Sequence, residues 1–277
     1  MIHRFAEIGS TNDECLRLAA SGAPHGTAVV ADRQTAGRGR HGRPWSSPPG
    51  TGLYVSLLVR LGGPPGGRSL PETLGGPPGG RSLPEDGIAR PPTMLPLLAG
   101  VAAARAVAAV LRAAENGGAP VRLKWPNDVL LNGRKLAGIL VEGSFGPDGF
   151  AAAVGLGVNV STLPQDLPPR VIYPATSILA ETGRIVDREA LLQAWLAEMD
   201  AALALWQSPD GGTRIVAAWD ALDANAGRTM RVARDADDPG GEVVEGTDLG
   251  IAPTGALRLR LASGEIREIV AGDVRQR

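Results

Sequence analysis

Residues 95–114 are almost entirely Ala, Leu and Val, with Arg105 and Arg112 as the only charges. A helix that is apolar on most of its faces cannot lie on a surface and has to be covered on several sides. The fold must therefore wrap other elements around it, as layered domains do. The chain has the means: 277 residues, 43% of them hydrophobic. Only 4% are aromatic, so the core is aliphatic and alanine-rich. Arg105 inside the run marks it as a core helix, and no apolar run is expected to reach membrane-spanning length.

Around that helix the chain reads as strands and two further helices. Ser10, Thr11 and Asn12 precede Asp13 and Glu14 and then Leu16, Leu18 and Ala19, a polar cap opening a helix. Residues 27–31 and 53–59 read as buried strands. Residues 121–125 and 135–142 read as strands joined by a turn at Asn132-Gly133, a hairpin signal. Residues 151–160 form another strand containing Gly155 and Gly157, and 188–205 a helix capped by Asp187. From residue 223 the texture changes to short alternating segments at 229–232, 242–247, 256–261 and 265–270, separated by Gly, Pro and Asp. That is the pattern of a small all-β module, and it predicts a five-stranded barrel of the SH3 type over 223–277.

Residues 61–72 recur at 74–85 as a Gly/Pro-rich tandem repeat. The unit is too short for a solenoid, so 61–86 is expected to be a disordered surface loop. Net charge is −1, which gives no global attraction to nucleic acid or anionic membrane. The single cysteine, Cys15, can form no internal disulfide, and His3, His25 and His41 show no ligand spacing. The N-terminus lacks a signal pattern, and a cytoplasmic protein is expected.

Chemistry concentrates in four places. Residues 37–45, Gly-Arg-Gly-Arg-His-Gly-Arg-Pro-Trp, combine glycines that let backbone approach a ligand with guanidinium forks suited to phosphate and carboxylate. No Gly-Lys-Ser/Thr ending makes this a P-loop. Lys124-Trp125-Pro126-Asn127-Asp128 is followed by Gly133-Arg134-Lys135-Leu136-Ala137-Gly138, and these hold the only two lysines among 28 basic residues. An ammonium is wanted at both positions where guanidinium elsewhere serves. Asn127 and Asp128 can orient a lysine or hold magnesium through water. The third place is 155–160, where two strand glycines suggest close approach to a ligand and Asn159 can read a base or ribose. The fourth is Ser10-Thr11-Asn12, at a helix start that can line a polar head group. Taken singly, each has a plainer reading, and the Arg-Gly loop also suits an RNA-contacting segment.

Together, in their order and spacing, these segments resemble the bacterial biotin protein ligases, and the resemblance extends over essentially the whole chain. It implies an α+β catalytic domain over 1–222, with a mixed, mainly antiparallel sheet and helices packed on it, of class II synthetase-like type. The C-terminal module over 223–277 follows it. It implies formation of biotinyl-5′-AMP from biotin and ATP with Mg2+, then transfer to a lysine of a biotin carboxyl carrier domain. Lys135, Arg40 and Asp128 are the implied catalytic residues. Biotin would be held by Ser10, Thr11, Asn12, Gln34, Gly37, Arg38, Gly39, Arg40, Lys135 and Gly138. ATP and the adenylate would be held by Arg38, Arg40, Arg43, Trp45, Lys124, Asn127, Lys135 and Asn159. Larger members begin with a DNA-binding domain that finds no room before Ser10, so no DNA partner and no membrane are expected, with monomer or homodimer left open. A lipoate or octanoate ligase is the nearest alternative, and an RNA-binding module the one from another class.

Overall fold

The computed structural model describes residues 1–61, 92–112, 120–146, 149–167, 174–233 and 242–276. The repeat loop expected at 61–86 lies, from residue 62 on, outside the described residues. Seven strands, β1 (Ile2–Ile8), β2 (Ala28–Gln34), β3 (Gly52–Leu61), β4 (Val121–Lys124), β5 (Asp128–Leu131), β6 (Arg134–Gly146) and β7 (Gly149–Asn159), form one sheet in the order β1-β2-β3-β7-β6-β5-β4. β1 runs parallel to β2, whereas β2–β3, β3–β7, β6–β7 and β4–β5 are antiparallel. The helices are α1 (Thr11–Ala20), α2 (Leu95–Arg112), α3 (Ile178–Thr182), α4 (Arg188–Trp206) and α5 (Gly211–Asp220). The mixed, mainly antiparallel sheet agrees with the expected fold class.

Three details differ from the sequence reading. β1 went unrecognised, because its exposed and half-buried residues show no apolar alternation. Asp128 to Leu131, expected as part of a turn, form a strand of their own; Asn132-Gly133 therefore joins β5 to β6 rather than β4 to β6. That turn needs positive φ at both residues, and Asn132 (50°) and Gly133 (76°) supply it. Ser10 stands at the N-cap of α1, but its side chain makes no capping hydrogen bond.

The chain divides into two compact units. The first comprises Met1–Ala89, Leu136–Pro169 and Ala175–Gln193. Its centre is β3, buried over nearly its whole length because both sheet faces are covered. Cys15 and Ala19 of α1 pack on Val29, Leu58 and Ala153. Burial pushes the Cys15 thiol up to about 12, so this cysteine is a packing residue without nucleophilic character at neutral pH. In α4, the Glu189 N–H donates to Asp187 at 3.0 Å, the cap the sequence foretold.

The second unit comprises Arg90–Lys135, Arg170–Pro174 and Ala194–Arg277. Its centre is α2, packed on α5, β4 and β5. By length and composition, the stretch Pro92–Arg112 is the one helix among the described residues that could cross a membrane, contrary to the expectation from its arginine. Burial of 72% of its apolar window makes it a core helix. The C-terminal strands β8 (Thr229–Ala233), β9 (Val243–Ile251), β10 (Leu257–Arg260), β11 (Ile266–Ile269) and β12 (Asp273–Gln276) form an antiparallel sheet in the order β11-β10-β9-β8-β12. The expected five-stranded antiparallel module is thus present. Among the described residues no ladder joins β11 to β12. Its β9–β10 turn docks on the helix side of the unit. Thr93 donates to the Thr254 carbonyl at 2.8 Å, and the Trp125 indole N–H donates to the Gly255 carbonyl at 3.1 Å. Gly255 has φ +88°, and a Cβ there would meet the Thr93 carbonyl at 3.2 Å, so the docking requires glycine.

Where α5 meets β9, three carboxylates gather. Asp220 accepts from the Ile251 N–H at 3.0 Å, Asp248 from Gly250 at 2.8 Å and Asp223 from Asn225 at 2.8 Å. Burial, then the neighbouring Asp248, raise the Asp223 carboxyl to about 7; burial also raises Asp248 and Asp220, with Arg258 opposing the shift at Asp220. A carboxyl raised in the folded state holds a proton that the unfolded chain releases near its ordinary value of 3.8. Its stability contribution is complete below that value and is lost as pH rises through the folded value. Asp223→Asn should therefore raise the thermal midpoint more at pH 8 than at pH 5. Equal shifts at both pH values would assign the pH dependence elsewhere.

Candidate active site

In the second unit, the turn from β4 to β5 places Lys124 and Asp128 opposite each other in the ladder. Their side chains form an ion pair at 2.9 Å, and Lys135, at the start of β6, reaches the other Asp128 oxygen at 2.7 Å. The Lys135 backbone N–H is tied to the Pro174 carbonyl at 2.8 Å. Two ammonium groups thus share one carboxylate. Lys124 and Asp128 are almost wholly buried, while the Lys135 side chain is 23% exposed and is the one that can meet a ligand. Burial pushes the Asp128 carboxyl up, but the two adjacent ammonium groups outweigh it and hold the group well below the usual carboxylate range. The turn contains a cis Trp125-Pro126 peptide, and the Trp125 ring is buried.

In the first unit, a chain of polar side chains runs from α1 across β2 and β3. The Thr11 N–H and hydroxyl both donate to Gln34 Oε1, at 2.9 and 3.0 Å. Ser56 Oγ lies 2.8 Å from Thr11 Oγ1 and 2.6 Å from Asn12 Oδ1. Asn12 Nδ2 donates to Glu142 Oε2 at 2.7 Å and to the Leu140 carbonyl at 3.3 Å. Gln34 Nε2 donates to Ser47 at 3.2 Å. Thr11, Asn12 and Ser56 are buried, so this chain is a core feature as well as a candidate surface for a polar head group.

The Arg-Gly loop belongs to the same unit and folds back on itself. Arg38 and Pro44 form an antiparallel bridge, the Gly39 N–H donates to the Arg43 carbonyl at 2.7 Å, and Trp45 N–H to the Gly37 carbonyl at 2.9 Å. A 3-10 turn at Arg40–Gly42 closes it, with His41 and Gly42 at positive φ. A Cβ on Gly37 would crowd the Trp45 carbonyl, Ser47 and Gln34. Arg38 donates through both terminal nitrogens to Asp13 and, at 3.3 Å, to Glu142. The hydrogen bonds from Arg38 hold Asp13 below its ordinary carboxylate value.

The strand glycines have a definite reason. A Cβ on Gly157 would sit 2.6 Å from the Trp45 ring, and one on Gly155 would land on Asn12 Oδ1. The close approach inferred from Gly155 and Gly157 is made by the protein's own Trp45 and Asn12. Gly138 lies opposite Gly157 in the β6–β7 ladder.

Most residues singled out in the sequence therefore fall into two clusters: Thr11, Asn12, Gln34, Gly37, Arg38 and Trp45 in one, Lys124, Asp128 and Lys135 in the other. Asn159 is buried at the end of β7 and donates to the Thr176 carbonyl at 2.9 Å, which occupies part of the amide expected to read a nucleotide. Ser56, Ser47, Asp13 and Glu142 join the first cluster without having been anticipated. A serine inside the apolar run of β3 was the available signal for Ser56. Magnesium held by Asp128 does not fit these residues, since both carboxylate oxygens carry ammonium groups, and no cluster of three or more metal-ligating side chains occurs among the described residues.

Comparison with known proteins places this arrangement in a family. A sequence model of the Biotin/lipoate A/B protein ligase family matches residues 5–70 and 86–159, leaving out part of the Gly/Pro-rich repeat. A second, for the biotin protein ligase C-terminal domain, matches 236–275. The chain is 32% identical over 268 residues to the bifunctional ligase/repressor BirA of Bacillus subtilis, covering 96% of this chain and 71% of that protein. It is 35% identical to the biotin–[acetyl-CoA-carboxylase] ligase of Paracoccus denitrificans, covering 94% of each. Its fold is similar to that of the Aquifex aeolicus biotin protein ligase solved with biotin and ATP, at a TM-score of 0.72 and 25% identity over 100% of this chain and 99% of that one. With its two clusters on the family's segments and its C-terminal sheet on the family's C-terminal domain, the chain belongs to the biotin/lipoate A/B protein ligase family, among the biotin protein ligases.

Proposed function

We propose that this chain is an ATP-dependent biotin protein ligase acting in the cytoplasm. The biotin carboxylate attacks the α-phosphate of ATP, giving biotinyl-5′-AMP and pyrophosphate. A lysine of the biotin carboxyl carrier domain of acetyl-CoA carboxylase, or of a related carboxylase, then attacks the mixed anhydride and AMP leaves.

The observation that carries this reading is the pair of lysines on Asp128. Joining two anions requires cationic groups already in place before charge builds on the phosphate. Asp128 supplies that order: its carboxylate fixes the Lys124 and Lys135 ammonium groups within 3 Å. Lys135, the more exposed of the two, is the group proposed to meet the α-phosphate. Lys124 is proposed to hold Asp128 in place. Magnesium would arrive with the nucleotide as its counter-ion, since these residues offer it no site of their own.

The polar chain of Thr11, Asn12, Gln34 and Ser56 supports a biotin head group, because its hydroxyl and amide oxygens can accept from the N–H groups of a ureido ring. Ser10, Gly37, Gly39 and Gly138 are proposed to line the same acid. Arg38 and Arg40 are proposed to draw carboxylate and phosphate together, and Arg43, Trp45, Asn127 and Asn159 to hold the adenylate. The catalytic part is proposed to span 1–222, with the 223–277 module bracing the Trp125 turn.

Pyrophosphate release with ATP, Mg2+ and a panel of acids tests the substrate; biotin should outperform lipoate and octanoate, and the reverse order would overturn the assignment. Lys135→Ala should slow adenylate formation by about a hundredfold or more, the usual cost of losing one preorganised electrostatic contact. An unchanged single-turnover rate would remove Lys135 from this role. Asp128→Asn should lower stability by about 3–5 kcal/mol, as breaking a buried pair leaves Lys124 uncompensated. A melting curve matching the wild type would show that the carboxylate is not what holds the two lysines.

A further inference from the structure

β4 is the outermost strand of its sheet, and the link from α5 to β8 runs along its outer edge. Leu123, next to Lys124, donates its N–H to the Leu222 carbonyl and accepts from the Ala224 N–H, both at 2.8 Å, and forms a parallel bridge with Asp223. Further on, the same link meets β9. The Gly227 N–H donates to the Asp248 carbonyl at 3.1 Å, and the Asp248 N–H donates to the Arg228 carbonyl at 2.9 Å. Asp223 thus has its backbone against β4, while its side chain meets that of Asp248 on β9.

Each of these two carboxyl groups has one oxygen engaged by a backbone N–H, Asp223 by Asn225 and Asp248 by Gly250. The other Asp223 oxygen, Oδ2, is buried and no donor among the described residues reaches it, and Asp248 is only 3% exposed. As two anions the groups repel; with one proton between them the contact becomes a charge-assisted O–H···O hydrogen bond that satisfies the orphaned oxygen. The surroundings favour that proton. Asp220 of α5 adds a further negative charge, and Arg258 of β10 acts on Asp220. On β4, Lys124 is turned to Asp128 and Arg122 to the Val121 carbonyl, and Arg228 of the link is exposed.

We propose that one proton shared between Asp223 and Asp248 latches the outer edge of β4, and with it the strand that carries Lys124, to the C-terminal module, and that loss of this proton to solvent opens the latch. The latch acts through the backbone of the link: the side-chain contact holds residues 222–224 in place, and these hold Leu123. Its catalytic consequence, a less firmly framed Lys124 above neutral pH, rests on the ligase reading; the latch itself does not.

Amide exchange in the ligand-free protein, corrected for its intrinsic pH dependence, reads the latch at the Leu123 and Ala224 N–H groups. A carboxyl raised to about 7 while the latch is closed, against 3.8 when free, stabilises the closed form fully below the lower value and ceases to do so as pH rises through the higher one. Protection of both amides should therefore fall about tenfold between pH 6 and pH 8.5, while amides of the β3–β7 ladder keep theirs. Asp248→Asn gives Asp223 Oδ2 an amide hydrogen that does not titrate, and should hold protection level across this range. Asp223→Asn, the same exchange from the other side, should do likewise. Combining the two sets amide donors against each other and should lower protection at both pH values. Level protection in the wild type, an unchanged pH dependence in either single variant, an equal fall across the β3–β7 ladder, or full protection in the double variant would each overturn the latch. Because no substrate is used, failure of the ligase reading leaves this outcome untouched.

Discussion

The Asp128 carboxylate, held between two ammonium groups, is the interaction from which the rest of the second unit follows. A buried carboxylate is costly, and so is a buried ammonium; each becomes tolerable only with the other within hydrogen-bond distance. Lys124 at 2.9 Å and Lys135 at 2.7 Å both meet that need. Lys135 is the partly exposed member of the cluster, while Lys124 and Asp128 are shielded. Such an arrangement needs a rigid frame. It is provided by the β4–β5 ladder, by the tie from Lys135 to Pro174 and by the buried Trp125 ring.

That frame explains why a small β module follows the catalytic segments. The turn between β9 and β10 places the Gly255 carbonyl on the Trp125 indole and the Thr254 carbonyl on Thr93. The buried Trp125 ring brings an N–H donor into the core, and its acceptor comes from residues far along the chain. The module is thereby coupled to the Lys-Trp-Pro-Asn-Asp turn through the Trp125–Gly255 hydrogen bond. The carboxylates where α5 meets β9 make the same docking region sensitive to pH.

In the first unit, an arginine-rich loop is tied down by contacts within the protein. The loop closes on itself through Arg38–Pro44 and Gly39–Arg43, and the Trp45 ring packs where the strand has no side chain at Gly157. The charge of Arg38 is absorbed by Asp13 and Glu142. A polar chain buried beneath strengthens the arrangement, since hydrogen bonds in a low-dielectric surrounding are worth more and are expensive to leave unmade.

Much of this was legible in the linear sequence. The apolar run that became α2, the two lonely lysines, the spaced glycines and the C-terminal change of texture each carry a local physical cause, so composition and spacing alone reveal them. The mixed sheet was expected only from the family resemblance that those segments carry. What only the tertiary structure decided is which side chain answers which. Nothing in the spacing of Lys124 and Lys135 says that both would share Asp128, because Asp128 had first to form a strand of its own. Nothing at Gly155 and Gly157 says that the atoms they make room for belong to Asn12 and Trp45 rather than to a ligand. Asp13 and Glu142 carry no local signal, since an acid is ordinary until a distant partner arrives, and the serine in the apolar run of β3 hints at a polar role without naming its partners. Long-range pairing of charges and hydrogen bonds is set by the fold, and that is the part a sequence read residue by residue does not contain.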